Sequence, residues 1–145
     1  MTAMTQDSSA LNKKDFEALS EFRYQLRRFL RFSEDAAHTA GLTPVQYQLL
    51  LHVKGFPGRD RASIGELAER LQTPQHGVVA LVTRCAAAGL VVRAHDPSDR
   101  RRVEVRLTPA GEACLRGLAA AHRSELRSLS KVFQVAHISA FNDAS

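Results

Sequence analysis

Arg100, Arg101 and Arg102 stand in a row, with Arg93 and Arg106 to either side, and form the densest run of chemically capable side chains in the chain. Guanidinium forks suit phosphate, carboxylate or guanine. In an extended segment neighbouring side chains point to opposite faces, so one or two of the three face a polyanion while another pairs with Asp96 or Asp99. A second set, Gln75, His76, Thr83 and Arg84, falls on one face of a helix whose other face carries Val78, Leu81, Val82 and Cys85. Gln is able to pair with adenine, and Gly77 lets a backbone come close. His76 reads equally well as an exposed polar residue at a helix start.

Catalytic chemistry lacks its parts. The sequence has no phosphate-cradling glycine loop, no Gly-x-Ser-x-Gly elbow and no Cys/His cluster, so neither an enzyme nor a cofactor is expected. His38, His52, His76, His95, His122 and His137 show no ligand spacing, which argues against a metal. Cys85 and Cys114 read as packing thiols in a reducing compartment.

The elements that must position these groups follow from periodicity and caps. The chain has 145 residues, 44% hydrophobic and 24% charged, with a net charge of +5. One domain of this size buries roughly 68–70% of its unfolded surface without a metal or disulfides. Sixteen of its twenty basic residues are Arg. With no long apolar run and no apolar core of a secretory signal in Met1–Ala10, a cytoplasmic protein that does not span a membrane is expected.

Phe16, Leu19, Phe22, Leu26, Phe29 and Leu30 recur at helical steps over about 12–40. Thr43-Pro44, Thr73-Pro74 and Thr108-Pro109 each read as a Thr cap followed by Pro at the first helical position. Gln46 completes a capping box with Thr43, and Glu66 with Ser63. Helices are therefore predicted over 44–54, 63–71, 74–88 and 109–129, with a loop over 55–61. Strands are predicted over 90–94 and 102–107, joined by a loop over 95–101. Val132, Phe133, Val135, Ile138 and Phe141 would form a further short helix.

Helix, helix-turn-helix, hairpin, helix is the order of a winged helix-turn-helix. The expected fold is mostly α with a small β-hairpin: one domain over 1–145, a winged core at about 43–108, and flanking helices at about 12–40 and 109–143. A helix N-terminus that fits the major groove beside a cationic β-loop suits double-stranded DNA.

Gly89-Leu90-Val91, Asp96-Pro97-Ser98-Asp99-Arg100-Arg101 and Leu107-Thr108-Pro109-Ala110-Gly111 resemble the wing signature of the multiple antibiotic resistance regulator (MarR) family. Ile64 to Leu71 is similar to the helix that precedes that family's recognition helix. The resemblance covers about Phe16 to Leu129. It implies a transcriptional repressor, or less often an activator, acting as a homodimer on a pseudo-palindrome and released by a ligand. It also implies that Arg101 inserts at the wing tip and that Asp99 holds Arg84 or Arg93; the plainer reading of Asp99 is a turn residue. Many relatives carry Thr or Ser where this chain has Gly77 and Val79, and a base at Ala80, so readout falls to Gln75, His76, Thr83 and Arg84.

Independently, the Phe-rich first helix and the apolar tail favour a homodimer, although packing within one chain would also cover them. The resemblance implies a small aromatic or lipophilic ligand, for which Phe22, Arg23, Tyr24, Leu26, Tyr47 and His52 are the candidates. The competing function is a winged helix that docks on a protein or RNA, a reading kept open by Gly77, Val79 and Ala80.

Overall fold

The computed structural model describes residues 10–128. Helix α1 spans Lys13–Thr39. At its start Asn12 N donates to Asp15 Oδ2 (3.1 Å) and Asp15 N to Asn12 Oδ1 (3.0 Å), a reciprocal cap that satisfies two amides. Helix α2, Pro44–Lys54, opens with the expected capping box between Thr43 and Gln46. Strand β1, Arg61–Ser63, leads into α3, Ile64–Leu71, whose capping box joins Ser63 and Glu66. Gln72, in the left-handed region at φ 51, turns the chain into α4, Gln75–Ala87. Strands β2, Val91–Asp96, and β3, Asp99–Leu107, precede α5, Pro109–Ser128. No described helix is long and apolar enough to cross a membrane.

Three local expectations need correction. The residues 55–61 are not all loop, because Arg61 begins β1 and makes a three-stranded antiparallel sheet ordered β1-β3-β2 rather than a bare hairpin. Three residues are too few to show alternation, and their partners Glu104 to Arg106 lie some forty positions on. The wing loop is also shorter than predicted: Asp96 pairs with Asp99 and only Pro97-Ser98 turns, so Arg100, Arg101 and Arg102 are strand residues. Ser98 makes the turn local by donating its amide (2.9 Å) and hydroxyl (2.7 Å) to Asp96 Oδ1. Finally, Thr73 does not cap α4: Pro74 takes the cap position, and the Thr73 hydroxyl donates to Leu71 O instead.

Two compact units divide the chain. Among the described residues, the first takes those up to Phe32 and those from His122 to Ser128. Within it His122 is buried and meets the edges of Phe29 and Phe32 at centroid distances of 5.9 and 5.3 Å. Phe16 and Tyr24 stay more than half exposed there, at 55% and 56%. The predicted helix over Val132 to Phe141 lies outside the described residues.

The second unit, Ser33–Ala121, has a closed core. Leu49, Leu50 and Val53 of α2, Ala62 of β1, Leu67 of α3, Val78, Val82 and Cys85 of α4, and Val105 of β3 are fully buried. Helix α4 ends where Gly89, at φ +77, lets Leu90 N reach back to Cys85 O (2.9 Å). The start of α5 is clasped to this turn. Thr108 Oγ1 donates to Gly89 O (2.6 Å) and accepts from Gly111 N (3.0 Å), while Thr108 N donates to Leu90 O (3.0 Å). A Cβ on Gly111 would lie 2.0 Å from Leu90 O, so only glycine fits. Lys54 of α2 adds an ion pair to Glu112 at 2.7 Å.

Candidate nucleic-acid interface

The outer stripe of α4 is Gln75, His76, Val79, Ala80, Thr83 and Arg84, all exposed. It exists because Val78, Leu81, Val82 and Cys85 bury the opposite face. Gln75 lies along α3, its Nε2 3.6 Å from where a Gly65 Cβ would stand. Gly77 is only half open; a Cβ there would press to 3.0 Å on Thr73 Cγ2, so a larger residue would need the Thr73 side chain to give by a few tenths of an ångström. Burial pushes the Cys85 thiol up, and the charge of Arg84 offsets this only in part.

Thr83 is committed within the molecule. Its hydroxyl donates to Val79 O (3.0 Å) and receives Arg93 Nη2 at 2.6 Å. Arg93 of β2 thus ties the wing to α4. The partner of Asp99 differs from the expected one: its carboxylate accepts Arg101 N (3.0 Å) and faces Arg101 Nε at 3.5 Å, while neither Arg84 nor Arg93 pairs with it among the ion pairs of the described residues. A turn carboxylate finds its nearest neighbours first.

The wing arginines diverge as strand alternation requires. The Arg101 side chain is 94% exposed. Arg102 turns inward, with Nη2 3.1 Å from Glu66 Oε1 and Nε, shut off from solvent, 3.9 Å from Glu104 Oε1, too far for a hydrogen bond. Glu66 also pairs with Arg59, and Glu104 with Arg61 at 2.7 Å. Three arginines of the basic surplus therefore neutralise two carboxylates beneath the wing. Partial burial would raise the Glu66 carboxyl, but the Ser63 amide, Arg59 and the Ser63 hydroxyl together hold it below the ordinary range. Sequence reading missed this cluster; its signal was Glu104 placed opposite in sign between Arg102 and Arg106.

The proposed ligand residues divide between the units. Phe22 and Leu26 are half-buried on α1, where Arg23 and Tyr24 are exposed. Tyr47 belongs to the core of the second unit, where burial raises its hydroxyl pKa. His52 is half-buried on α2, and burial followed by the charge of Arg70 lowers its imidazole.

A helix-turn-helix whose second helix is tied to a basic antiparallel wing defines a winged helix-turn-helix protein. The MarR family model matches residues 40–102. A protein of Thauera aromatica named for transcriptional regulation of the hcr operon is 31% identical over 93 residues, covering 64% of this chain and 54% of that one. The transcriptional repressor MdtR of Bacillus subtilis is 28% identical over 106 residues, 69% of this chain and 66% of its own. The chain thus spans about half to two thirds of the length of the curated relatives it matches. Its fold is that of AbsC, a MarR family regulator from Streptomyces coelicolor, with a TM-score of 0.72 at 24% identity over 92% of this chain and 90% of the other. Residues 40–102 are thus similar to the MarR family of transcriptional regulators, and the chain shares the fold of that family's solved members.

Proposed function

We propose that this protein is a transcriptional regulator that binds double-stranded DNA as a homodimer and represses by occluding a promoter. The observation that carries the reading is the pairing of an exposed α4 stripe with a wing whose Arg101 side chain is 94% exposed. Helix α4 presents its N-terminal half to the major groove, and Arg101 reaches the adjacent phosphates or minor groove. Arg93 fixes the angle between the two through Thr83.

Dimerisation is supported by α1, whose Phe16, Tyr24 and Leu30 remain exposed at 55%, 56% and 44%. A two-fold dimer reads half-sites about 34–36 Å apart. Release of the DNA follows from a small aromatic or lipophilic molecule that changes the spacing of the two α4 helices.

Fluorescence anisotropy of the full chain on the DNA upstream of its own gene, against a scrambled duplex and across a salt series, tests the reading. A preference of about 10³ or more for the upstream duplex at physiological salt supports it. Equal affinities with a steep salt slope would mean phosphate contacts alone, and would favour a winged helix that docks on a protein or RNA.

A further inference from the structure

We infer that the centre of the α4 stripe reads a pyrimidine 5-methyl group, with Val79 as the residue that makes the contact, so that each half-site carries a thymine at a fixed position. This rests on the DNA-binding reading above and specifies how it discriminates. Along the stripe the groups that hydrogen-bond lie at the two ends, Gln75 and His76 at one and Arg84 at the other. Between them stand Val79, 46% exposed, and Ala80, also exposed. Thr83, the polar residue one turn further on, has given its proton to Val79 O and accepts Arg93, so its hydroxyl is tied to the protein.

A recognition surface without free donors or acceptors at its middle discriminates there by apolar contact alone. The major groove offers one apolar group among its base edges, the thymine C5 methyl. Val79 is not part of the core, whose share of α4 is filled by Val78, Leu81, Val82 and Cys85. A β-branched residue in an exposed helix position is also slightly less favourable than alanine. Its position is held: the Val79 carbonyl is the anchor for both Thr83 and Arg93 (3.0 and 3.4 Å), so the wing clamp fixes this turn of the helix.

The probe is a randomised duplex pool from which the full-length protein selects its site, resynthesised with uracil for thymine at one position at a time. Uracil removes the methyl group and leaves every hydrogen bond intact. The wild type is expected to lose about fourfold in affinity at one position of each half-site, the worth of one buried apolar carbon. Val79→Ala is expected to bind the thymine and uracil duplexes alike at that position, with an unchanged circular-dichroism melt. Indifference of the wild type to uracil at every position overturns the inference, as does a Val79→Ala protein that keeps the thymine preference. A pool that yields no enriched sequence overturns instead the DNA-binding reading on which the inference stands.

Discussion

The recognition helix and the wing carry their functional groups in opposite ways. Helix α4 shows a mixed stripe with one exposed cation, Arg84, and an apolar middle. The wing concentrates arginine, yet Arg102 is drawn in to Glu66 and Glu104 and Arg93 is bound to Thr83, while the Arg101 side chain stays exposed. The difference separates two tasks. A cation at a strand tip attracts any duplex, whereas a shaped and weakly polar helix face discriminates among duplexes.

The largest effect should come from reversing the exposed Arg101. Arg101→Glu is expected to weaken binding by roughly a hundredfold for a dimer, about tenfold per half-site, and to lower the salt slope by about one per protomer. Anisotropy titrations at several salt concentrations check both numbers.

Next is the clasp at the base of the wing. Gly111→Ala places a Cβ against the Leu90 carbonyl. Forcing the two apart should cost about 1–3 kcal/mol of stability, read from urea melts, with DNA affinity falling only as the folded fraction falls.

Removing one partner from the acidic cluster should be milder. Glu66→Gln keeps a hydrogen-bonding cap for Ser63 N but takes away the charge that Arg59 and Arg102 share. The expected loss is about 1–2 kcal/mol in the same melts, since a partly buried charge-assisted hydrogen bond is worth that much. Arg102→Met should match it in stability while leaving the salt slope of DNA binding near wild type. A fall in slope equal to that of Arg101→Glu would show that Arg102 meets phosphate as well.

The smallest effect concerns pH. Burial, and then Arg70, hold the His52 imidazole below its usual value near 6.5. The folded state thus keeps His52 neutral where the unfolded chain takes up a proton. Its contribution to stability is full above about pH 6.5 and is lost as pH falls toward the folded value. The melting temperature should drop between pH 7.5 and 5.5, and His52→Gln should drop less.

The helices were legible because their signals are local. Thr43 with Gln46 and Ser63 with Glu66 fix two helix starts within four residues, and both caps form as read. Strand β1 was not legible, because Arg61-Ala62-Ser63 becomes a strand only when β3 lies beside it. The same distance hid the pairing of Glu66 with Arg102, thirty-six positions apart. At the site, strand alternation foretold that Arg101 and Arg102 diverge, but the partner of each is a tertiary matter. Asp99 chose Arg101, and Arg93 chose the hydroxyl of Thr83. The exposed Val79 was visible in the sequence as a missing donor; its use became apparent only once Thr83 proved to be engaged.

The division of labour between wing and helix is tested most directly by measuring affinity for the selected duplex and for a scrambled one, across salt, with wild type, Arg101→Glu and Val79→Ala. The account predicts that Arg101→Glu lowers both affinities by the same factor and leaves their ratio intact, whereas Val79→Ala lowers the ratio and leaves the scrambled affinity and salt slope unchanged. A collapse of the ratio in Arg101→Glu with the scrambled affinity preserved would contradict it.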